Sequence, residues 1–476
     1  LGETLNGLAG VAASNFGPNA SRPIIRGLDG DRIRVMNNGG VTFDASSVSN
    51  DHGVAVDPLV AEQIEVVRGA ASLQYGANAL GGAINVIDNR IPKAPITGLT
   101  GRTELRFGSA YSELAGAALI EVGNGSFVVH ADGAARSSGE MKTAGYAGQP
   151  QNWGRLLNSS SNQSGGAMGV SWFGDHMTMG LSLDSYRNHY GIGLFEQSLP
   201  IQIQMIQQRF VFAGEREFVQ SASGLQTIHW AFSQSDYSHT ESVGSSPETY
   251  FKNQGWDMHV GAKLNPWTLN DFRVQGSWGL QISSNLFSAL DAHSLGSSYV
   301  PVTHTDNVAT YYIQELAWGQ FNSIYTGLRI ENNRVQSDGG DHFIAATRVF
   351  APLSASIGYK RSLTSQWYSQ LNVSFTQRPP TYYELFADGL HHATENYEKG
   401  NVNNAMERAL TVDWGVKYKL GEEKFGLNLY LTEFSNYLTL KPSAVCLGTP
   451  CYEYSGVKAR LYGFELEGKK VLFKTT

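Results

Sequence analysis

The chain has 476 residues, and only 16% are charged, well below the roughly 25% usual for a soluble globular protein. Its net charge of -7, with Lys and Arg scattered singly, leaves no basic footprint and excludes nucleic acid as a partner. No stretch approaches the roughly 18 consecutive apolar residues of a membrane-spanning helix, and the opening "LGETLNGLAGV" shows no signal peptide, which leaves export open because a trimmed chain reads the same.

Residues 1–93 are mixed in texture. In "SNDHGVAVDP", residues 49–58, Asp51 and His52 stand side by side among small and apolar neighbours. Adjacent residues on a strand point to opposite faces, so the pair suits a loop. The plain reading is a turn in which the Asp caps backbone groups and the His is exposed. A short helical or turn piece is expected at Asp57–Ala61, strands at Ile64–Arg68 and Gly82–Asp88, and a Gly/Ala-rich loop at Ser72–Gly82. Together these make a small α+β unit, closed by "NRIPKAP" as a linker.

From about residue 98 the pattern changes. Segments of about ten residues alternate in hydrophobicity between clusters of Gly, Asn, Asp and Ser. In "WYSQLNVSFTQR", Trp367, Leu371, Val373 and Phe375 share one parity, while Tyr368, Gln370, Asn372 and Ser374 share the other. Many such aromatic-rich segments, joined by alternately short and long connections, point to an outer-membrane β-barrel with lipid outside and water in the lumen. Closure satisfies every backbone hydrogen bond in a medium that offers none. Long loops are expected at about 138–162, 191–225, 238–256, 284–308, 334–346, 380–402 and 440–456. Cys446 and Cys451 have no further Cys or His nearby to complete a metal site, so a small disulfide in an oxidising compartment is expected.

"SRPIIRGLDGDRIRVMNNG" and "VAEQIEVVRGAASLQYGANALGGAINVI" resemble the plug domain of TonB-dependent outer-membrane receptors over Ser21–Ile87. The resemblance implies a plug at 1–93 inside an all-β transmembrane barrel at 94–476, nominally of 22 antiparallel strands. The C-terminal strands and the TonB-contact segment are expected to lie outside this sequence. It also implies a monomer in a Gram-negative outer membrane, in contact with its lipid and energised by TonB with ExbB and ExbD. Arg26, Glu65 and Arg68 match the motif charges that hold plug to wall, where a buried charge needs a partner. Within the family, "DASSVSNDHGVAVDPL", "GGAINVIDNRIP" and "QRPPTYYELFADGLHHATENYEKGN" look like the zinc receptors of the ZnuD type.

That closer resemblance implies transport of a zinc ion, with no catalytic cofactor and no enzymatic step. Asp51 and His52 match the plug-apex metal pair, His391 a loop histidine, and Glu248 an acidic loop residue, with His239 and Glu241 just upstream. Two imidazoles and two carboxylates suit a four-coordinate zinc, in a site that would also be open to Cu²⁺, Ni²⁺ or Co²⁺. One departure is plain: residues 191–218 hold no histidine, where the type carries a loop dense in His and Asp. A metal chelate (ferric siderophore, haem or cobalamin) is the alternative cargo, with Tyr382, Tyr383 and Phe386 as its candidate contacts. Neither Gly-x-Ser-x-Gly nor His-Glu-x-x-His occurs to support a hydrolase.

Overall fold

Alternating hydrophobicity does become strand in the computed structural model, which describes residues 1–14, 16, 17, 19–49, 51–144, 154–193, 199–219, 223–391 and 396–472. One barrel sheet runs from Thr97–Gly108 to Thr449–Lys469, with sixteen strands of ten or more residues among the described residues. That is fewer than the nominal 22 of the resemblance. Each of these long strands is antiparallel to the next. Parity divides the faces as the sequence implies. On Leu225–Val243 the residues Ser233, Ser235, Tyr237, His239 and Glu241 are buried toward the lumen. Leu183, Met168, Leu328, Ile330, Ile357 and Leu410 stand exposed on the outer face, where water would penalise them and lipid does not. Among the described residues no helix is long and apolar enough to cross a membrane.

The short-turn end carries an aromatic belt. Trp318 packs on Phe272 at 5.6 Å and on Tyr359 at 6.0 Å, and Trp367 packs on Tyr418 at 5.0 Å between ring centroids. Rings at this level suit the headgroup boundary, half apolar and half wet.

At the opposite end several expected loops are strand instead. Residues 238–256 belong to Leu225–Val243 and Ser246–Leu264, and residues 440–456 to Glu423–Cys446 and Thr449–Lys469. Ile201–Glu217 likewise fills much of the expected 191–225 loop. Pairing continues past the apolar band because a ladder of backbone hydrogen bonds needs no lipid, only a partner strand. The polar Ser, His and Glu residues that looked like loop composition are the lumen face of tall hairpins. Cys446 and Cys451 are joined as a disulfide across one hairpin tip, their Cα atoms 5.4 Å apart.

Inside the barrel the plug holds a four-stranded sheet in the order Gly40–Val41, Ile33–Asn37, Gly82–Ile87, Gln63–Val67, with only the central pair parallel. Its helical content is short: an α-turn at Gly2–Leu5 and 3-10 pieces at Gly30–Arg32, Pro58–Val60, Gly69–Tyr75 and Ala77–Ala79. The last plug strand ends at Ile87 and the first barrel strand begins at Thr97.

Charges fix plug to wall. Arg26 reaches Asp413 at 2.6 Å and Glu465 at 2.9 Å, and Arg68 reaches Glu465 at 3.1 Å. Arg26 and Gly27 both have positive φ, at 51° and 80°, in a tight turn bridged by Ile25 and Leu28. Such a conformation is costly for a side-chain-bearing residue, and two carboxylates hold the arginine there. Glu65 does not join this clamp: its carboxylate accepts from Gln63 at 3.1 Å, within the plug. The two side chains share one face of the same strand, so Glu65 is paired locally. Arg32, not singled out in the sequence, makes the more buried anchor. It meets Glu407 at 2.6 Å, and Arg378 joins Glu407 at 2.6 Å to Glu384 at 2.7 Å. Glu384 also closes the capping box of the short helix Tyr382–Phe386, so one network ties plug, wall and apical helix.

Candidate metal centre

Asp51 and His52 lie on the apical side of the plug and are 0% and 1% exposed, which removes the solvent-exposed turn. Their loop is held from within and without. Asp44 accepts from Ser46 N at 2.9 Å and from Ala55 N at 3.1 Å. From the wall, the Tyr190 hydroxyl accepts from Gly53 N at 2.7 Å and donates to Asp51 O at 3.1 Å. With the backbone fixed on both sides of the pair, both side chains turn toward the lumen wall.

His52 Nδ1 lies 3.0 Å from Ala45 O and donates to it, since a carbonyl only accepts. That contact leaves Nε2 to face Glu241 Oε1 at 2.7 Å, the orientation that a metal-ligating imidazole takes from its other nitrogen. Glu241 and His239 are two residues apart on Leu225–Val243 and so share its lumen face. His239 stacks on Phe251 at 4.3 Å, and its Nδ1 meets the Tyr237 hydroxyl at 2.9 Å. Ligand atoms of His52, His239 and Glu241 all lie within 4.8 Å of one another.

From above, His391 ends the short strand Asp388–His391. Its Nε2 is 3.6 Å from Asp51 Oδ1, and its Nδ1 is 3.5 Å from Glu398 Oε1. Glu398 accepts from the hydroxyls of Tyr299 at 2.5 Å and Tyr454 at 3.0 Å, which fixes it above the imidazole. Neither Glu398 nor Tyr190 was singled out in the sequence. Glu398 does lie in the quoted 377–401 segment, and its pairing with Gly389 across the hairpin brings it near His391.

Glu248 is not in this cluster. It sits at the hairpin tip, 3.7 Å from the exposed His293. On Ser246–Leu264 the odd residues Thr249, Phe251 and Asn253 face inward, so position 248 faces out.

Spacing suits a cation. Asp51 Oδ2 and His239 Nε2 are buried without hydrogen-bond partners. Asp51 Oδ2 lies 3.6 Å from His52 Nε2, and His239 Nε2 lies 3.8 Å from Glu241 Oε1. Both gaps are too long for hydrogen bonds and near the roughly 3.3 Å separating ligand atoms around a tetrahedral ion bonded at about 2.0–2.1 Å.

Electrostatics point the same way. Burial would raise Asp51, but His52, His391 and the Ser49 hydroxyl outweigh it and hold the carboxyl well below its usual range. Burial likewise opposes ionisation of Glu241, yet His239 and His52 bring it down to about 2. Against their own burial, His52 is pushed up by Asp51 and Glu241, and His391 by Asp51 and Glu398. Burial lowers His239 to about 4, keeping its imidazole neutral. Two buried carboxylates thus favour positive charge on the imidazoles that face them, an environment also suited to a cation.

A lumen plug clamped to a lipid-facing barrel, with a ligand cluster where plug meets apical hairpins, defines an outer-membrane receptor that imports its cargo past the plug. Residues 1–83 match the family described as TonB-dependent Receptor Plug Domain and residues 131–474 that described as TonB dependent receptor-like, beta-barrel, so this chain belongs to the TonB-dependent receptors. It is an outer-membrane transporter, not an enzyme, and it works with TonB on the periplasmic side. Among solved structures it is similar to the copper transporter OprC (TM-score 0.77, 16% identity, 96% of this chain and 72% of that one). It is also similar to the siderophore receptor PirA from Pseudomonas aeruginosa (0.73, 17%, 100% and 79%) and the Serratia marcescens hemophore receptor HasR (0.80, 14%, 96% and 75%). At these identities the likeness is one of fold.

Proposed function

We propose that this receptor carries a bare divalent cation, zinc in the first place, in the manner of the ZnuD-type receptors, with Asp51, His52, His239 and Glu241 as its ligands and His391 as the closing loop residue. The observation that carries the reading is the buried His52–His239–Glu241 triangle against Asp51, with two orphaned ligand atoms turned into it. A donor set of imidazole and carboxylate without thiolate binds zinc at moderate strength, which suits a protein that must release its cargo. The chain shares its fold with OprC, a copper transporter.

The chelate reading has less support. Its candidate contacts are packed away: Tyr383 and Phe386 are buried, Tyr383 donates to Asp31 at 2.9 Å, and Tyr382 packs on Phe287 at 4.5 Å.

Metal would neutralise Asp51 and Glu241, draw His391 onto the plug apex and bias the apical hairpin closed, since crowded carboxylates repel without a cation. TonB, driven by ExbB and ExbD, then supplies the work to move the plug of a monomeric receptor, with the plug ending near residue 93. The test is growth on zinc under chelation. Asp51→Ala/His52→Ala should abolish it while the protein stays folded in the outer membrane, and parent-like growth would reject the reading.

A further inference from the structure

The two ring nitrogens of His391 face different carboxylates: Nε2 faces Asp51 at 3.6 Å and Nδ1 faces Glu398 at 3.5 Å. Glu398 belongs to the short strand Asn396–Lys399 and is 6% exposed. Among the described residues no lysine or arginine pairs with it, and its ion-pair partner is the His391 ring. A carboxylate buried without a lysine or arginine is costly, so its place behind that ring needs a reason.

Three apical segments converge on this carboxylate. Its Oε2 accepts from the Tyr299 hydroxyl at 2.5 Å and from the Tyr454 hydroxyl at 3.0 Å. Tyr299 comes from the connection that precedes Thr303–Trp318. Tyr454 lies on Thr449–Lys469, the strand to which Asn396–Lys399 pairs in parallel. Asp388 N donates to Tyr299 O at 3.1 Å, and the Tyr299 ring lies 5.4 Å from the His391 ring. The approach is so close that a Cβ on Gly389 would sit 2.5 Å from Ser298 O. Two hydroxyls thus hold one oxygen of Glu398, and the other is left aimed at His391 Nδ1.

We infer that Glu398 is a positioning residue for cargo binding: it accepts from His391 Nδ1 and so presents Nε2, lone pair outward, to an ion beside Asp51. This rests on the metal-cargo reading. The loop imidazole then has the arrangement of His52, whose Nδ1 donates to Ala45 O while Nε2 faces the cluster. A carboxylate behind the ring fixes its tautomer and makes it a stronger donor to metal. An ion on Nε2 in turn polarises the Nδ1–H bond and tightens the 3.5 Å contact. Glu398 is not itself a ligand, since the His391 ring stands between it and Asp51.

Zinc affinity of the purified full-length receptor, by competition with a chromophoric chelator, tests this in a double-mutant cycle. Glu398→Gln keeps the shape of the side chain, removes its charge and should weaken binding about tenfold to a hundredfold. His391→Ala should weaken it at least as much, and Glu398→Gln added to His391→Ala should cost nothing more. Cobalt reads the ligand shell directly. The visible spectrum of the Co²⁺-loaded Glu398→Gln receptor should move from the parent's toward that of His391→Ala, and a parent-like spectrum overturns the inference. Parent-like zinc affinity in Glu398→Gln, with Asp51→Ala/His52→Ala impaired, removes Glu398 and leaves the cargo reading standing. Losses that add in the double variant also overturn the role, because Glu398 then acts apart from His391. If Asp51→Ala/His52→Ala binds zinc as the parent does, the cargo reading fails and the inference with it. Should the glutamine variant misfold, Tyr299→Phe/Tyr454→Phe decides, since it keeps every charge and frees the carboxylate. It should weaken zinc binding only where His391 is present, and parent-like affinity overturns the inference.

Discussion

Glu241 and Glu248 share one hairpin, and strand parity separates them. Glu241 follows His239 by two and faces the lumen, while Glu248 falls out of phase with Thr249 and Phe251 and faces away. Replacing Glu241 with Ala should therefore weaken zinc binding by at least about tenfold, as losses around metal sites typically do. Glu248→Ala should leave binding unchanged in the same chelator-competition assay. Affinity should also fall in acid, with a known sign. His52 and His391 are raised above the ordinary imidazole value by their carboxylates, so each must shed a proton to bind metal. Proton competition is slight well above these raised values and strengthens as pH falls through them, so weakening should begin above the ordinary imidazole pKa of about 6.5. Equal affinity at pH 8 and pH 6 would remove these histidines from the site. The Asp-His pair stood out because two residue types able to ligate a metal sat together within a matched motif. Glu398 was not, because only the closure of the 388–399 hairpin brings it to His391.

Among elements, the ionic clamps decide how firmly the plug sits. Arg32→Ala leaves Glu407 with Arg378 as its remaining cation, and Arg26→Ala takes the arginine from Asp413 and leaves Glu465 with Arg68. Breaking a buried pair from one side typically costs about 3–5 kcal/mol. Both variants should lower the unfolding temperature of the plug and speed its proteolysis, with little change in the barrel's own transition. Unchanged plug proteolysis would mean these contacts contribute nothing measurable. Strand alternation was readable wherever one face meets lipid, as in Trp367–Arg378, since period two then separates apolar from polar residues. Above the lipid both faces turn polar, the contrast vanishes, and the upper parts of Leu225–Val243 and Glu423–Cys446 read as loop. Arg26 was visible through its motif, whereas Arg32 takes its meaning from Glu407, far along the chain.

For the whole molecule, a plug filling the lumen means that uptake requires work, and the outer membrane has no ATP to supply it. Zinc accumulation through this receptor should fall to the level of receptor-less cells when TonB is deleted. Surface binding of zinc should persist, because the apical cluster is assembled from plug and hairpins without TonB. The central claim is that Asp51, His52, His239 and Glu241 hold the cargo ion, and diffraction at the zinc absorption edge from crystals grown with zinc tests it most directly. The account predicts an anomalous peak about 2 Å from His52 Nε2 and within reach of Glu241, His239 and Asp51. Zinc bound elsewhere on the receptor, with no peak among these four side chains at saturating metal, would contradict it.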